Sequence, residues 1–266
     1  MMYFIALIKN IFFKKWAYKF NFFLEGIEVI ISLLVQLLVW VSLFNSVGNK
    51  AVTGYNISDL ITYTIVSRIA GMVTNIKLSL HFADAIQSGD IALSLIRPYS
   101  PRLIFIINSI GNTFCNAVTA GIPTILVFVF FLSDVQLPAS RIYLIFFLIS
   151  LLLGLAICIS IELLSGVLAF WKVPGDFMEW YFSIFFVLLS GSVIPLWFFP
   201  QWLLIIAKVL PFQAVFFIPA QLYMGKFSII ESAYALLIQL GWIALLLTFH
   251  EMLWRRGIRN LTILGG

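Results

Sequence analysis

The chain has 266 residues, 62% of them hydrophobic and 10% charged, with a formal net charge of +5 and a mean hydropathy of +1.09. A soluble domain carries about a quarter charged residues, so this composition excludes a soluble globular protein. The few charges are also segregated: none falls within 29–49, 103–133, 142–161, 180–207 or 232–249. A transmembrane helix needs about 20 largely apolar residues. These five runs, with a weaker one at 58–80, predict six spans in one transmembrane domain over 1–266.

The leader, 1–21, sets Lys9, Lys14, Lys15 and Lys19 among Phe4, Leu7, Ile11, Phe12, Trp16 and Phe20. It reads either as an interfacial segment whose lysines meet anionic headgroups or as a basic flank that sets topology. No small-residue cleavage site follows the first apolar run, which is expected to remain as a span at about 22–47. Glu25 and Glu28 stand in its first turns, where the helix dipole favours negative charge. Span two, about 58–80, carries Arg68 ten residues in, about 15 Å deep at 1.5 Å per residue.

Between spans two and three, in the loop 80–102, His81 to Leu95 reads as a helix. Phe82, Ala85, Ile86, Ile91 and Leu95 recur partly at three- and four-residue spacing, with Asp84, Gln87 and Asp90 between them. Gly89 permits a kink or a close backbone approach, and Pro98 and Pro101 stop the helix. Such a helix fits a partner's groove through its apolar anchors, or lies on the membrane surface.

Spans three and four are expected at about 103–132 and 140–170, with Glu162 inside the second. Charges within spans are costly and mark functional positions by default. Arg68 and Glu162 are expected to pair across helices, to point into a polar pathway, or to meet a second subunit. Span five, about 177–197, is interrupted by Gly191, Pro195 and Pro200. The following run from Gln201 to Leu210 is too short to cross, and Pro211 ends it. Trp197 and Trp202 suit the headgroup level. The segment 190–222 is therefore expected as a re-entrant outer hairpin, the simpler alternative being an outer loop with a surface helix. Span six is placed at about 231–254.

With six spans both termini share a side. Putting them in the cytosol gives that side Lys9, Lys14, Lys15, Lys19, Lys77, Arg97, Arg102, Lys172, Arg255, Arg256 and Arg259, eleven in all. The other side keeps four: Lys50, Arg141, Lys208 and Lys226. Cytosolic termini follow from the positive-inside rule.

Motifs for chemistry are missing. Tyr223-Met-Gly-Lys-Phe lacks the first glycine and the hydroxyl of a phosphate loop. His250-Glu251 has Trp254 where a zinc protease needs its second histidine. Two histidines and two intramembrane cysteines, Cys115 and Cys158, assemble no metal site or disulfide. No enzyme, bound cofactor or nucleic-acid partner is expected, and any ATP-processing domain must sit on another chain, since no extramembrane piece is large enough for a core of its own.

Gly89-Asp90-Ile91…Leu95-Ile96-Arg97-Pro98 resembles the loop between spans two and three of ABC-2-type ABC transporter permeases, in the branch with a GDI-x3-LIRP-like signature. Ser190-Gly191…Pro195…Pro200 is similar to that family's outer segment, and Trp254-Arg-Arg-Gly-Ile-Arg259 lies where a basic tail is expected. Asn260-Leu261 departs from that tail, which often continues into an aromatic residue. The resemblance implies an all-α integral membrane protein of the ABC-2, type V exporter-like kind: six transmembrane helices, a cytosolic coupling helix at about 82–97 and an outer re-entrant hairpin. It implies a permease in a bacterial-type plasma membrane, forming the pathway with a second permease, identical or paralogous, and driven by two copies of an ATP-binding subunit that holds the ATP. Phe82, Ile86, Gly89, Asp90, Ile91, Leu95 and Arg97 would then meet the ATPase, and Gly191, Pro195 and Pro200 would shape the outer gate. The leader would be the interface helix. The competing reading is an ion-coupled secondary transporter or channel, which would need coupling residues near the midplane such as Arg68 and Glu162. A membrane-embedded enzyme or assembly factor lacks a catalytic cluster. The 27 phenylalanines suit a lipid-like, peptide or drug-like cargo, or simply face lipid.

Overall fold

A computed structural model describes residues 19–46, 54–95, 100–130 and 135–259. These residues form helices and short 3-10 turns, with no strand among them. The long helices are α1 (Lys19–Ser46), α2 (Ile57–Thr74), α5 (Pro101–Phe130), α6 (Arg141–Val167), α7 (Gly175–Leu189) and α10 (Ile229–Arg259). Four short ones interrupt them: α3 (Ser79–Gln87), α4 (Asp90–Leu95), α8 (Gln201–Val209) and α9 (Phe217–Tyr223). The leader, 1–18, and the tail, 260–266, lie outside the described residues.

The apolar surface is distributed as a bilayer requires. In α1, Val29, Leu33 and Leu37 recur every four residues and are buried, Leu33 and Leu37 packing with Ile61, Ile65 and Val127. Ile31, Val35 and Leu38 on the other side stand exposed, a surface that lipid rather than water covers. Helix α2 is different, with nearly every residue from Asp59 to Ser67 buried, so it forms the centre of the bundle. Its first turn is fixed by Asp59, which accepts a hydrogen bond from the Asn56 amide at 2.9 Å and pairs with Lys226 at 2.9 Å.

Helices α6 and α10 form the other half of the core, and small residues bring them close. Gln239, fully buried, donates from Nε2 to Ser150 Oγ at 2.9 Å and to the Ala214 carbonyl at 2.6 Å. An unpaired amide there would cost a few kcal/mol, so this network pins α10, α6 and the 211–214 turn in one register. Gly154 of α6 faces Val215 and the Ala214 carbonyl, where a Cβ would make ordinary contact at 3.5–3.6 Å.

Among the described residues, four helices are long and apolar enough to cross a membrane, at Gly26–Leu43, Pro101–Val129, Arg141–Trp171 and Ile229–Arg259. A fifth arises if the pair Gln201–Val209 and Pro211–Tyr223, bent by 72°, counts as one span. The expected second and fifth spans come out shorter than 58–80 and 177–197. Helix α2 stops at Thr74 and the chain runs without regular structure to Leu78, while α7 stops at Leu189 because Gly191 turns the backbone to φ +84°. At 15 residues, α7 is about 22 Å long, less than the ~30 Å hydrocarbon thickness.

Candidate functional site

The bundle has two ends. One, here the lower, carries residues 75–95 and the C-terminal parts of α6 and α10; the upper carries 190–225. The lower end is organised by the four-residue strap from Asn75 to Leu78 that joins α2 to α3. Thr113 Oγ1 donates to the Asn75 carbonyl at 2.9 Å, and Ser109 Oγ donates to the Lys77 carbonyl at 3.2 Å. Both hydroxyls come from α5, one turn apart, so a single helix face binds two strap carbonyls. Lys77 pairs with Glu179 of α7 at 3.6 Å.

Glu162 completes the clamp. Its Oε2 accepts from the amides of Leu78 at 2.9 Å and Ser79 at 2.8 Å. The first turn of a helix leaves amides without internal partners and concentrates positive partial charge. No side chain of the strap caps α3, so the carboxylate of α6 takes that role. The expected Arg68–Glu162 pair is absent: the ion pairs among the described residues are Lys77–Glu179, Arg102–Glu251, Lys226–Asp59 and Arg255–Glu251. Arg68 instead points Nη2 to Ser32 Oγ at 3.4 Å. The carboxylate is engaged through Oε2 by two backbone donors.

The expected coupling helix is two helices. Ser88 and Gly89 break it, Gly89 at φ +82°, a conformation that favours glycine. Phe82, Ile86 and Ile91, expected to enter a partner's groove, are 0%, 7% and 0% exposed within this chain. They pack with Leu163, Val167 and Trp254, Phe82 stacking on Trp254 at 5.6 Å and meeting Phe105 edge-on at 5.3 Å. The physical reason is that an apolar stripe docks on the nearest apolar surface, here the ends of α6 and α10. The surface left outward is polar: His81, Asp84, Gln87, Ser88 and Asp90 are exposed. Arg97 lies outside the described residues, as does the side chain of Leu95.

Above the strap lies a cavity of about 1020 Å³. Arg68 and Glu162 both line it, with Glu28, Asp176, Glu179 and Lys77, so the intramembrane charges share a space without touching. Strap residues Asn75, Ile76 and Lys77 form part of its floor, Trp180, Phe182 and Phe186 of α7 part of its wall, and Ser192, Val193 and Phe216 close it from the upper end.

That upper end is held by aromatic packing. The Tyr63 hydroxyl donates to the Gly191 carbonyl at 2.7 Å, and Trp197 stacks on Tyr55 at 4.0 Å while meeting Tyr63 edge-on at 4.7 Å. A Cβ on Gly191 would come within 2.6 Å of the Tyr63 oxygen. Pro195 and Pro200 stand extended, just before the 196–198 turn and α8. Gln36 of α1 donates to the Val193 carbonyl at 3.2 Å. Sequence reasoning singled out neither Ser109, Thr113 and Glu179 at the strap nor Tyr63 above it. Their only signal is polarity inside otherwise apolar helices.

Long apolar helices, with a charge-lined cavity open at one side between them, make this an all-α, multi-pass membrane protein. Residues 30–265 match the family model described as ABC-2 family transporter protein, and the chain belongs to that family: it is the permease of an ABC transporter. Membership implies association with an ABC ATP-binding subunit. No curated protein and no solved structure matches the chain.

Proposed function

We propose that the chain forms half of the translocation pathway of an ATP-driven exporter, and that the 1020 Å³ cavity is its share of that pathway. The pathway is completed by a second permease, a copy or a paralogue, and driven by two ATP-binding subunits that carry all the ATP chemistry. In this reading α2 and α7 complete six crossings. Both termini and the 79–95 segment lie on the cytosolic side of a bacterial-type plasma membrane, in line with the eleven-to-four distribution of basic residues over the two sides. The 190–222 segment is the outer gate over the cavity.

The observation that carries the mechanism is the Glu162 clamp. One carboxylate lines the cavity and also holds the amides that start α3, so a shift of α3 and α4 by the ATPase displaces a cavity wall. The pushing surface is the polar set His81, Asp84, Gln87, Ser88 and Asp90, while Phe82, Ile86 and Ile91 transmit the push into α6 and α10. ATP shifts the balance between inward- and outward-facing arrangements only so far as it binds them differently. The test is purification in mild detergent from native cells with mass spectrometry of associated chains. A stoichiometric ATP-binding subunit is the expected result. Recovery of the chain alone, under conditions that keep other ABC complexes whole, would return the secondary-carrier reading.

A further inference from the structure

A second concavity, of about 920 Å³, opens between the start of α5 and the end of α10. Arg102, Arg255, Arg256 and Arg259 line it, with Glu251 as the one carboxylate. Four arginines less one glutamate leave a charge of +3. Glu251 is already engaged, by Arg102 and by Arg255 Nε at 2.9 Å. Arg256 and Arg259 are exposed and have no ion-pair partner among the described residues. Arg102 is held over the Trp254 ring at 5.0 Å, so its guanidinium is positioned rather than free to wander.

Depth and neighbouring surface narrow the ligand. Helix α10 has 31 residues, about 46 Å, longer than the ~30 Å hydrocarbon; its last turns therefore reach headgroup level. Next to the arginines, Leu103, Leu247 and Met252 line the same groove and are 43%, 42% and 39% exposed. Guanidinium forks match phosphate oxygens in pairs, and basic pockets between the cytosolic ends of spans suit anionic headgroups. The described surface thus offers a polar cationic floor continuous with an apolar wall that runs into the bilayer.

We propose that this groove binds an anionic phospholipid. Arg256 and Arg259, backed by Arg102, hold its phosphate, and its acyl chains lie along Leu103, Leu247 and Met252. The chain's own leader is a poor occupant: residues 1–24 contain four lysines and no acid, and like charges would repel it. A free phosphate would make no use of the apolar wall.

The test is native mass spectrometry of the purified protein titrated with phosphatidylglycerol, with phosphatidylcholine and with inorganic phosphate. Wild type is expected to retain phosphatidylglycerol at low molar ratio and to release phosphatidylcholine. R256Q with R259Q together should weaken phosphatidylglycerol retention about tenfold or more. Removing charge at the end of a span can also disturb insertion, so R256K with R259K is measured beside it. That variant keeps the charge but not the fork and should fall between the two. Equal retention of phosphatidylglycerol by wild type and the glutamine variant overturns the proposal. So does equal retention of the two lipids by wild type, or displacement of phosphatidylglycerol by millimolar inorganic phosphate.

Discussion

The two ends of the cavity are closed by different physics. Below, the strap is held by side chains bonded to its backbone: the Ser109 and Thr113 hydroxyls donate to the carbonyls of Lys77 and Asn75, and the Glu162 carboxylate accepts from the amides of Leu78 and Ser79. Above, Tyr55, Tyr63 and Trp197 pack rings against each other, and one hydroxyl reaches a glycine carbonyl. Directional hydrogen bonds each contribute about 0.5–1.5 kcal/mol net and can be exchanged for others during a rigid shift of helices. An interlocked aromatic corner with a left-handed glycine tolerates little change of shape. The lower end is therefore the one whose contacts a rigid shift can exchange, and the upper end the one that resists a change of shape.

Substitutions that break one end should therefore differ in kind from those that break the other. The largest effect is expected at the top. Gly191→Val places a branched side chain at φ +84° and against the Tyr63 hydroxyl, combining backbone strain of about 1–3 kcal/mol with overpacking of about 1–3 kcal/mol. The thermal unfolding midpoint in detergent should fall sharply. Tyr63→Phe in the same chain should restore part of the loss by removing the clashing oxygen.

At the bottom, Glu162→Ala orphans the two buried amides at the start of α3, at about 1–3 kcal/mol for each left unpaired. Stability should drop moderately, and coupling should be lost even where the protein is recovered folded. Glu162→Gln keeps an acceptor and should lie between wild type and alanine in both readouts. Removing Ser109 and Thr113 hydroxyls together (S109A with T113A) should cost about 1–3 kcal/mol in all, seen as faster amide exchange over 75–80 with the upper end unchanged. The smallest effect on stability belongs to Asp84→Lys with Asp90→Lys: both residues are exposed, and the bond lost is the one from Ser88 Oγ to Asp90 at 2.9 Å. The unfolding midpoint should fall only slightly, yet recovery of the ATP-binding subunit in pull-downs should fall. Unchanged recovery would remove the polar face of α3 and α4 from the contact.

Much of the architecture was legible in the sequence because charge segregation and run length are one-dimensional signals. The long apolar helices lie over the apolar runs, and the breaks at Gly89 and Gly191 fall where glycine stood alone. The facing of the 82–91 stripe was not legible. Phe82, Ile86 and Ile91 have one spacing whether the stripe enters a partner's groove or this chain's own bundle, and only the neighbouring ends of α6 and α10 decide it. Nor was the partner of Glu162. Its hydrogen-bonded amides lie 83 and 84 residues away, on a helix whose own sequence supplies no cap. A deep arginine and a deep glutamate invite pairing on the page, but in three dimensions the carboxylate meets backbone donors and the guanidinium meets Ser32.

In the mechanism proposed, Glu162 ties the cavity to the segment that the ATPase pushes. A spin label at Ser183→Cys, on the cavity lining, tests it in the assembled transporter with and without ATP and magnesium, in a chain whose Cys115 and Cys158 are replaced by alanine. A nucleotide-dependent change in the label's mobility is expected there, and its loss when Glu162→Ala is added although the ATP-binding subunit remains bound. An equal change in both would show that the push reaches the cavity by another route.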